Sequence, residues 1–440
     1  MNNVLIRGGT VVTMDPARPL LEDGWITVEG QHIAGMGAGS PPNRTAAVII
    51  EAAGKIVMPG LVNAHLHVRP GRAMGDGLSH IEWHSRYADG YSGLMTPAEA
   101  YAGALLAFGE CLTSGTTCVM PMPVLCAAVG RAAAAIGIRA TIAPHGGDDP
   151  PGAKGLERLE DILALMQAQG DPTGRRIRYW LGFDNLTDCT RAYLAQMREG
   201  LARYPVGLHT HLNETAGRIA ATKRKFGDLP THILDREGLL SPRTALAHGV
   251  HLEAEEKDLL RRTGAHIVHN PVSNMRLGNG VAPVAELLDL GINVCLGTDG
   301  MLSAYKLDHF ETMRVAAMLQ RVTRLDSQVL PAQRVLEMAT VNGARALGLE
   351  AEIGSVKPGK RADLIVLDAR RLHMTPRARG VHDNLSSLLV YAAHGSDVET
   401  VLVDGEIVVK ERRLTRVDEA RVRADAQAAS DRILADIPAP

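Results

Sequence analysis

Two histidines separated by one residue, His65-Leu66-His67, close a short apolar run. On an extended strand, residues i and i+2 project from the same face. Both imidazoles therefore face one side, near enough to share a metal ion. Similar groups end other apolar runs: His209-Thr210-His211-Leu212-Asn213-Glu214, Ala247-His248-Gly249-Val250-His251, His266 with His269-Asn270-Pro271, and Gly297-Thr298-Asp299-Gly300. Imidazole and carboxylate in this mixture suit a borderline divalent ion, Zn²⁺ or Fe²⁺. A single histidine at a strand end is ordinarily a satisfied polar group, and an Asp after Gly-Thr is often a helix cap. Five run ends that all carry His or Asp point to one shared site.

Such groups need a scaffold. Candidate strands over residues 61–67, 116–122, 139–144, 177–183, 206–211, 244–250, 265–270 and 293–299 alternate with helical stretches at 99–113, 156–169, 190–203, 215–226, 253–262, 281–290 and 308–321. That alternation indicates parallel βα units. Eight strands close a TIM barrel of about 250 residues, whose chemistry sits at the C-terminal strand ends. The barrel is expected over residues 59–350. Residues 1–58 and 351–440 read instead as short strands between Gly-rich turns, with Asp404-Gly405 as a hairpin turn. Neither end has enough strands for a stable sheet. The two are expected to meet in one small β-sandwich, with a closing helix near residues 418–437. The predicted class is α/β: a TIM (β/α)8 barrel with a sandwich domain built from both chain ends.

Composition narrows the function. The chain has 440 residues with 45% apolar content, and 47 basic against 49 acidic side chains. No basic stripe favours nucleic acid or a membrane surface. The five cysteines include no C-x-x-C pair, which argues against a disulfide framework or a thiolate zinc cluster. A reducing, cytoplasmic setting is expected. The opening residues lack a signal-peptide pattern, and no apolar run reaches the roughly 18–20 residues of a membrane span. The expected partner is a small molecule.

The residues Pro59-Gly60-Leu61-Val62-Asn63-Ala64-His65-Leu66-His67, the segment His211-Leu212-Asn213-Glu214, Ala247-His248-Gly249-Val250-His251-Leu252, His269-Asn270-Pro271-Val272-Ser273-Asn274 and Gly297-Thr298-Asp299-Gly300 together resemble the amidohydrolase superfamily. More narrowly, they resemble its branch of cytosine, guanine and S-adenosylhomocysteine deaminases and triazine hydrolases. The resemblance implies that His65, His67, His211 and Asp299 hold one divalent metal, most simply Zn²⁺, with Fe²⁺ as the alternative. It further implies that Glu214 shuttles protons, that His248 polarises substrate or the attacking water, and that the protein is a homo-oligomer. Binuclear relatives bridge two metals with a lysine at the end of strand four. Here that strand reads Ile177-Arg178-Tyr179-Trp180-Leu181-Gly182-Phe183-Asp184, without lysine, so one metal is expected.

Relatives place an acidic or amide residue beside a Trp after strand one, which makes Glu82 and Trp83 candidate substrate contacts. His145 after strand three and Asp184 after strand four are further candidates, and Met120-Pro121-Met122-Pro123 is expected to form an apolar wall. The expected activity is metal-dependent deamination at a non-peptide C–N bond of a small N-heterocycle. Expulsion of an alkylamine, thiol or chloride is the alternative. A non-catalytic barrel is disfavoured by the full set of ligands plus Glu214.

Overall fold

The computed structural model describes residues 3–41, 46–153, 155–170 and 174–438. The outer limits of the expected domains, residues 1 and 440, lie outside the described residues.

Parallel strands form a four-stranded sheet and a five-stranded sheet. The first holds Leu61–Leu66, Thr116–Pro121, Arg139–Ile142 and Ile177–Tyr179, strands one to four. The second begins with Leu181–Gly182, which continues strand four past Trp180. It adds strands five to eight, Leu208–Leu212, Thr244–His248, His266–His269 and Val294–Leu296. Strand four thus belongs to both sheets: Trp180 N–H donates to Ile142 C=O at 2.8 Å and Leu181 N–H to Gly207 C=O at 3.1 Å. At the opposite edges, Asp299 N–H donates to His65 C=O at 3.0 Å and Asn63 Nδ2 to Thr298 Oγ1 at 2.7 Å. Every residue of strands one, two, three, six, seven and eight is buried, as expected where parallel strands are covered on both faces.

Strand eight is shorter than the pattern 293–299 suggests. It ends at Leu296, because Asp299 turns away with φ +64°. The segment after strand one differs more. Its non-periodic sequence reads as a loop, yet it forms short helical turns at His80–Trp83, His84–Ala88 and Asp89–Leu94. Ser79 and Glu82 start it with a reciprocal capping box.

The two chain ends share one nine-stranded sheet. Asn3–Val12 pairs antiparallel with Leu20–Glu29 and parallel with Lys55–Pro59, which pairs in turn with Leu364–Asp368 and leads to Val398–Val403. Its interior gathers Val4, Ile6, Ile26 and Ile33 from one end with Leu364, Val366 and Leu402 from the other. A buried ion network joins this sheet to the parallel array. Arg139 of strand three makes a bidentate pair with Asp363, at 2.8 and 3.0 Å, and also meets Asp404. Asp404 receives Arg176 and Arg361 as well, each at 3.0 Å. Charges taken from water are tolerated when opposite charges pair with them in this way.

The last helix, Glu419–Asp436, packs over the segment after strand one: Tyr91 Oη lies 2.8 Å from Ser430 Oγ. Among the described residues, no helix is long and apolar enough to cross a membrane.

Candidate metal centre and substrate cavity

Strand one carries His65 and His67 to the same end as His211 of strand five and His248 of strand six. Each of three imidazoles has its Nδ1 engaged. His65 Nδ1 lies 2.8 Å from His209 Nε2, His67 Nδ1 lies 3.0 Å from Met122 C=O, and His211 Nδ1 lies 2.9 Å from Asp184 C=O. His209 donates its own Nδ1–H to Ala245 C=O at 2.8 Å, so its Nε2 can only accept, and His65 must donate from Nδ1. In its neutral form each of the three rings therefore presents a bare Nε2. His65, His67 and His211 bring a ligand atom each within 4.8 Å of one another, and so do His65, His248 and Asp299. His65 Nε2 is buried without a hydrogen-bond partner among the described residues. An orphaned imidazole lone pair aimed at two others fits a borderline divalent cation.

Asp299 completes the donor set. Its Oδ1 stands 3.7 Å from His67 Nε2 and 3.9 Å from His65 Nε2. Ser273 Oγ donates to Oδ2 and Gly300 N–H to Oδ1, each at 2.6 Å. Asp299 and His248 both adopt positive φ, +64° and +78°. Left-handed backbone at non-glycine residues is retained where the surroundings impose it, as at functional sites.

Burial keeps these histidines neutral. It pushes His65 and His67 well below the ordinary imidazole range, with the neighbouring cationic groups adding to the effect. His211 is the exception. Burial alone would lower it, but the Asp184 side chain outweighs that and raises it to about 9.

Beside this cluster lies a small cavity. Its polar wall includes Glu214, Asp184, His145 and two arginines, Arg69 and Arg218, and its apolar wall includes Trp83, Leu277, Met301 and Leu302. Glu214 is 7% exposed. Burial would raise its carboxyl, but His248 and His80 outweigh this and hold it at about 2. His248 donates Nδ1–H to Asn274 Oδ1 at 2.8 Å, so in the neutral ring Nε2 is a proton acceptor. That Nε2 lies 3.9 Å from Glu214 Oε1.

Not every expected contact reaches the cavity. Trp83, His145 and Asp184 line it. Glu82 does not line it: its carboxylate closes the capping box with Ser79, 2.6 Å from the hydroxyl. The Met120–Pro123 wall is also replaced. Met120 and Met122 are buried elsewhere, and it is the Met122 carbonyl that serves the site, by orienting His67. The alternation 65, 67, 69 could have revealed Arg69. His80 and His84 lie in a segment without periodicity, and Arg218 on an ordinary helical face, so nothing local marked them.

A family model for the amidohydrolase family matches residues 56–408. The chain belongs to the amidohydrolase family. Within it, this chain is 36% identical to a 5'-deoxyadenosine deaminase of Methanosarcina mazei, over 99% of this chain and 100% of that protein. It is likewise 36% identical to a 5-methylthioadenosine/S-adenosylhomocysteine deaminase of Desulforamulus reducens, over 98% of this chain and 99% of that one. Among solved structures, an adenosine deaminase from Xanthomonas campestris with bound zinc superposes with a TM-score of 0.91 at 29% identity, covering 98% of both chains. The zinc complex of an atrazine chlorohydrolase from Arthrobacter aurescens superposes at 0.87 with 26% identity, covering 97% of this chain and 99% of that one. This amidohydrolase is thus a metal-dependent hydrolase of non-peptide C–N bonds in small N-heterocycles, of the deaminase type.

Proposed function

We propose that this amidohydrolase removes ammonia from the exocyclic amine of an adenosine-type nucleoside, using one Zn²⁺. The observation that carries the reading is the clustering of the ligand atoms of His65, His67 and His211 within 4.8 Å of one another beside a buried Glu214. The names of the relatives at 36% identity, deaminases of 5'-deoxyadenosine and of 5-methylthioadenosine/S-adenosylhomocysteine, support the substrate class. His65, His67, His211 and Asp299 would hold the ion. When bound there, a divalent ion lowers the pKa of a coordinated water to about 7.

The chain's own groups then do the rest. Asp299 and Glu214 accept protons from the attacking water as its oxygen bonds to the ring carbon. Glu214 returns one proton to the exocyclic nitrogen, the C–N bond breaks and ammonia leaves, while the proton taken by Asp299 passes to the ring nitrogen that received the C=N electron pair on attack, leaving a ring carbonyl. His248, with Nδ1–H committed to Asn274, orients the water or substrate through Nε2. Trp83 offers a ring face for the heterocycle, while His145 and Asp184 border its polar edge.

The Asp299–His65 bond supports an eight-stranded barrel closed between strands eight and one over residues 59–350. The core shared by both chain ends supports a small sandwich domain formed by residues 1–58 and 351–440. All five cysteines are free and buried, in keeping with a cytoplasmic setting.

The test is ammonia release from a panel of adenosine derivatives, other purines, pyrimidines, pterins and triazines, with metal analysis of the same preparation. Turnover of an adenosine derivative with about one zinc per chain is expected. Release of chloride, thiol or alkylamine in place of ammonia would replace the deaminase reading with the wider hydrolase one. Two metals per chain would overturn the single-ion site.

A further inference from the structure

We propose that Asn279, seated by His251, is a positioning residue for Glu214: it pins Oε1 and leaves Oε2 to carry the proton. The proposal rests on the reading of Glu214 as the proton shuttle. Asn279 Nδ2 donates to Glu214 Oε1 at 2.9 Å, and both side chains are buried. It is the only hydrogen bond that the Glu214 carboxylate receives among the described residues. His80 Nε2 at 3.7 Å and His248 Nε2 at 3.9 Å approach the same oxygen but stay beyond hydrogen-bond range. Oε2 receives no hydrogen bond among the described residues, and Glu214 lines the cavity. A flipped Asn279 amide would set its oxygen against Oε1, so electrostatics selects the orientation that donates.

Asn279 is itself held. His251 Nε2 lies 2.8 Å from the Asn279 main-chain oxygen, an acceptor only, so the ring must donate. The main-chain oxygen of His251 in turn accepts from Asn213 Nδ2 at 2.9 Å, and Asn213 is the residue before Glu214. The four residues thus form a closed circuit: the shuttle's side chain is fixed through Asn279, and its backbone through Asn213, from the same His251. Gly280 makes the turn possible. Its φ is +114°, and an added Cβ would stand 3.1 Å from Val250 and 3.5 Å from His251. The second histidine of His248-Gly249-Val250-His251 reaches neither the ion-binding cluster nor the cavity wall. The circuit gives it a task.

A carboxylate with one oxygen fixed offers the other in a single direction, whereas a free one rotates and presents either oxygen unreproducibly. The experiment uses the metal-loaded enzyme and the best substrate of the panel above. N279A should lower kcat about 10–100-fold, the worth of a hydrogen bond to a charged group, with KM within about threefold and metal content unchanged. N279D keeps the shape but sets a second carboxylate against Oε1, and should fall at least as far. The double variant E214Q/N279A should be no slower than E214Q, because the two act as one unit. H251Q, which touches only the Asn279 backbone, should show the same split of kcat from KM, and it serves if N279A does not fold.

A kcat for both N279A and H251Q within twofold of the parent would overturn the proposal. So would losses that multiply in the double variant, or a loss carried by KM or metal content alone. An E214Q enzyme at the parent rate would remove the shuttle reading itself, a result distinct from an inactive E214Q beside an intact N279A.

Discussion

Asp184 meets Nδ1 of His211 with two of its own oxygens, the main-chain carbonyl and Oδ1, each 2.9 Å away. The carbonyl takes the hydrogen bond and sets the tautomer, while the carboxylate places a negative charge beside the ring that carries the bare Nε2. His145 Nδ1 lies 3.4 Å from the same Oδ1. A carboxylate behind a metal-binding imidazole raises its basicity and fixes its plane. The substitution D184N keeps the carbonyl and the shape but removes the charge. It should weaken metal binding about tenfold, the lower end of the 10–100-fold range for such partners. Competition with a chelator measures this, and an unchanged metal affinity would refute it.

Glu214 separates binding from chemistry. It lies beside the imidazole cluster without belonging to either ligand trio. E214Q should retain metal, bind substrate with a similar KM and lose turnover by about 10²–10⁴-fold. Parallel metal analysis and steady-state kinetics check the pair of outcomes.

The Arg139 network predicts a stability effect remote from the site. Arg139 is 1% exposed and serves two carboxylates. R139M leaves Asp363 and Asp404 with buried charge that Arg361 and Arg176 compensate only in part. The cost should be about 3–5 kcal/mol, read from urea unfolding. A shift below about 1 kcal/mol would mean that water reaches the pair.

Acid should destabilise the protein through histidines that never titrate while folded. Burial holds His209, His269 and His309 down at about 3. The unfolded chain takes these protons near pH 6.5. Between those values the unfolded state binds more protons, so stability is fully present above about pH 6.5 and declines as the pH falls toward 3. Neither ring nitrogen of His309 has a hydrogen-bond partner among the described residues. H309M should therefore fold, and should flatten the dependence by about one proton, or about 1.4 kcal/mol per pH unit. Urea midpoints at several pH values decide it; an unchanged slope would contradict it.

Much of this site was readable in one dimension. The pairing of His65 with His67 follows from strand alternation, and Glu214 sits three residues past His211, just beyond its strand. The eight strand positions follow from short apolar runs separated by helical periodicity. The segment at residues 80–94 was not readable, because short capped turns have no period to detect. That is why the Ser79–Glu82 capping box went unread, and why His80, 3.7 Å from Glu214, carried no signal.

Sequence alone determined which chemical groups reach the strand ends, since backbone periodicity is a local property that packing does not alter. Tertiary structure decided how those groups are tuned. Asp184 reaches His211 across 27 residues, His209 reaches His65 across 144, and Asn279 reaches Glu214 across 65. Such partners meet only because parallel strands are ordered side by side and the loops beyond them converge. Tautomer, charge and the free oxygen of the shuttle are therefore properties of the assembled mouth, and no spacing along the chain encodes them.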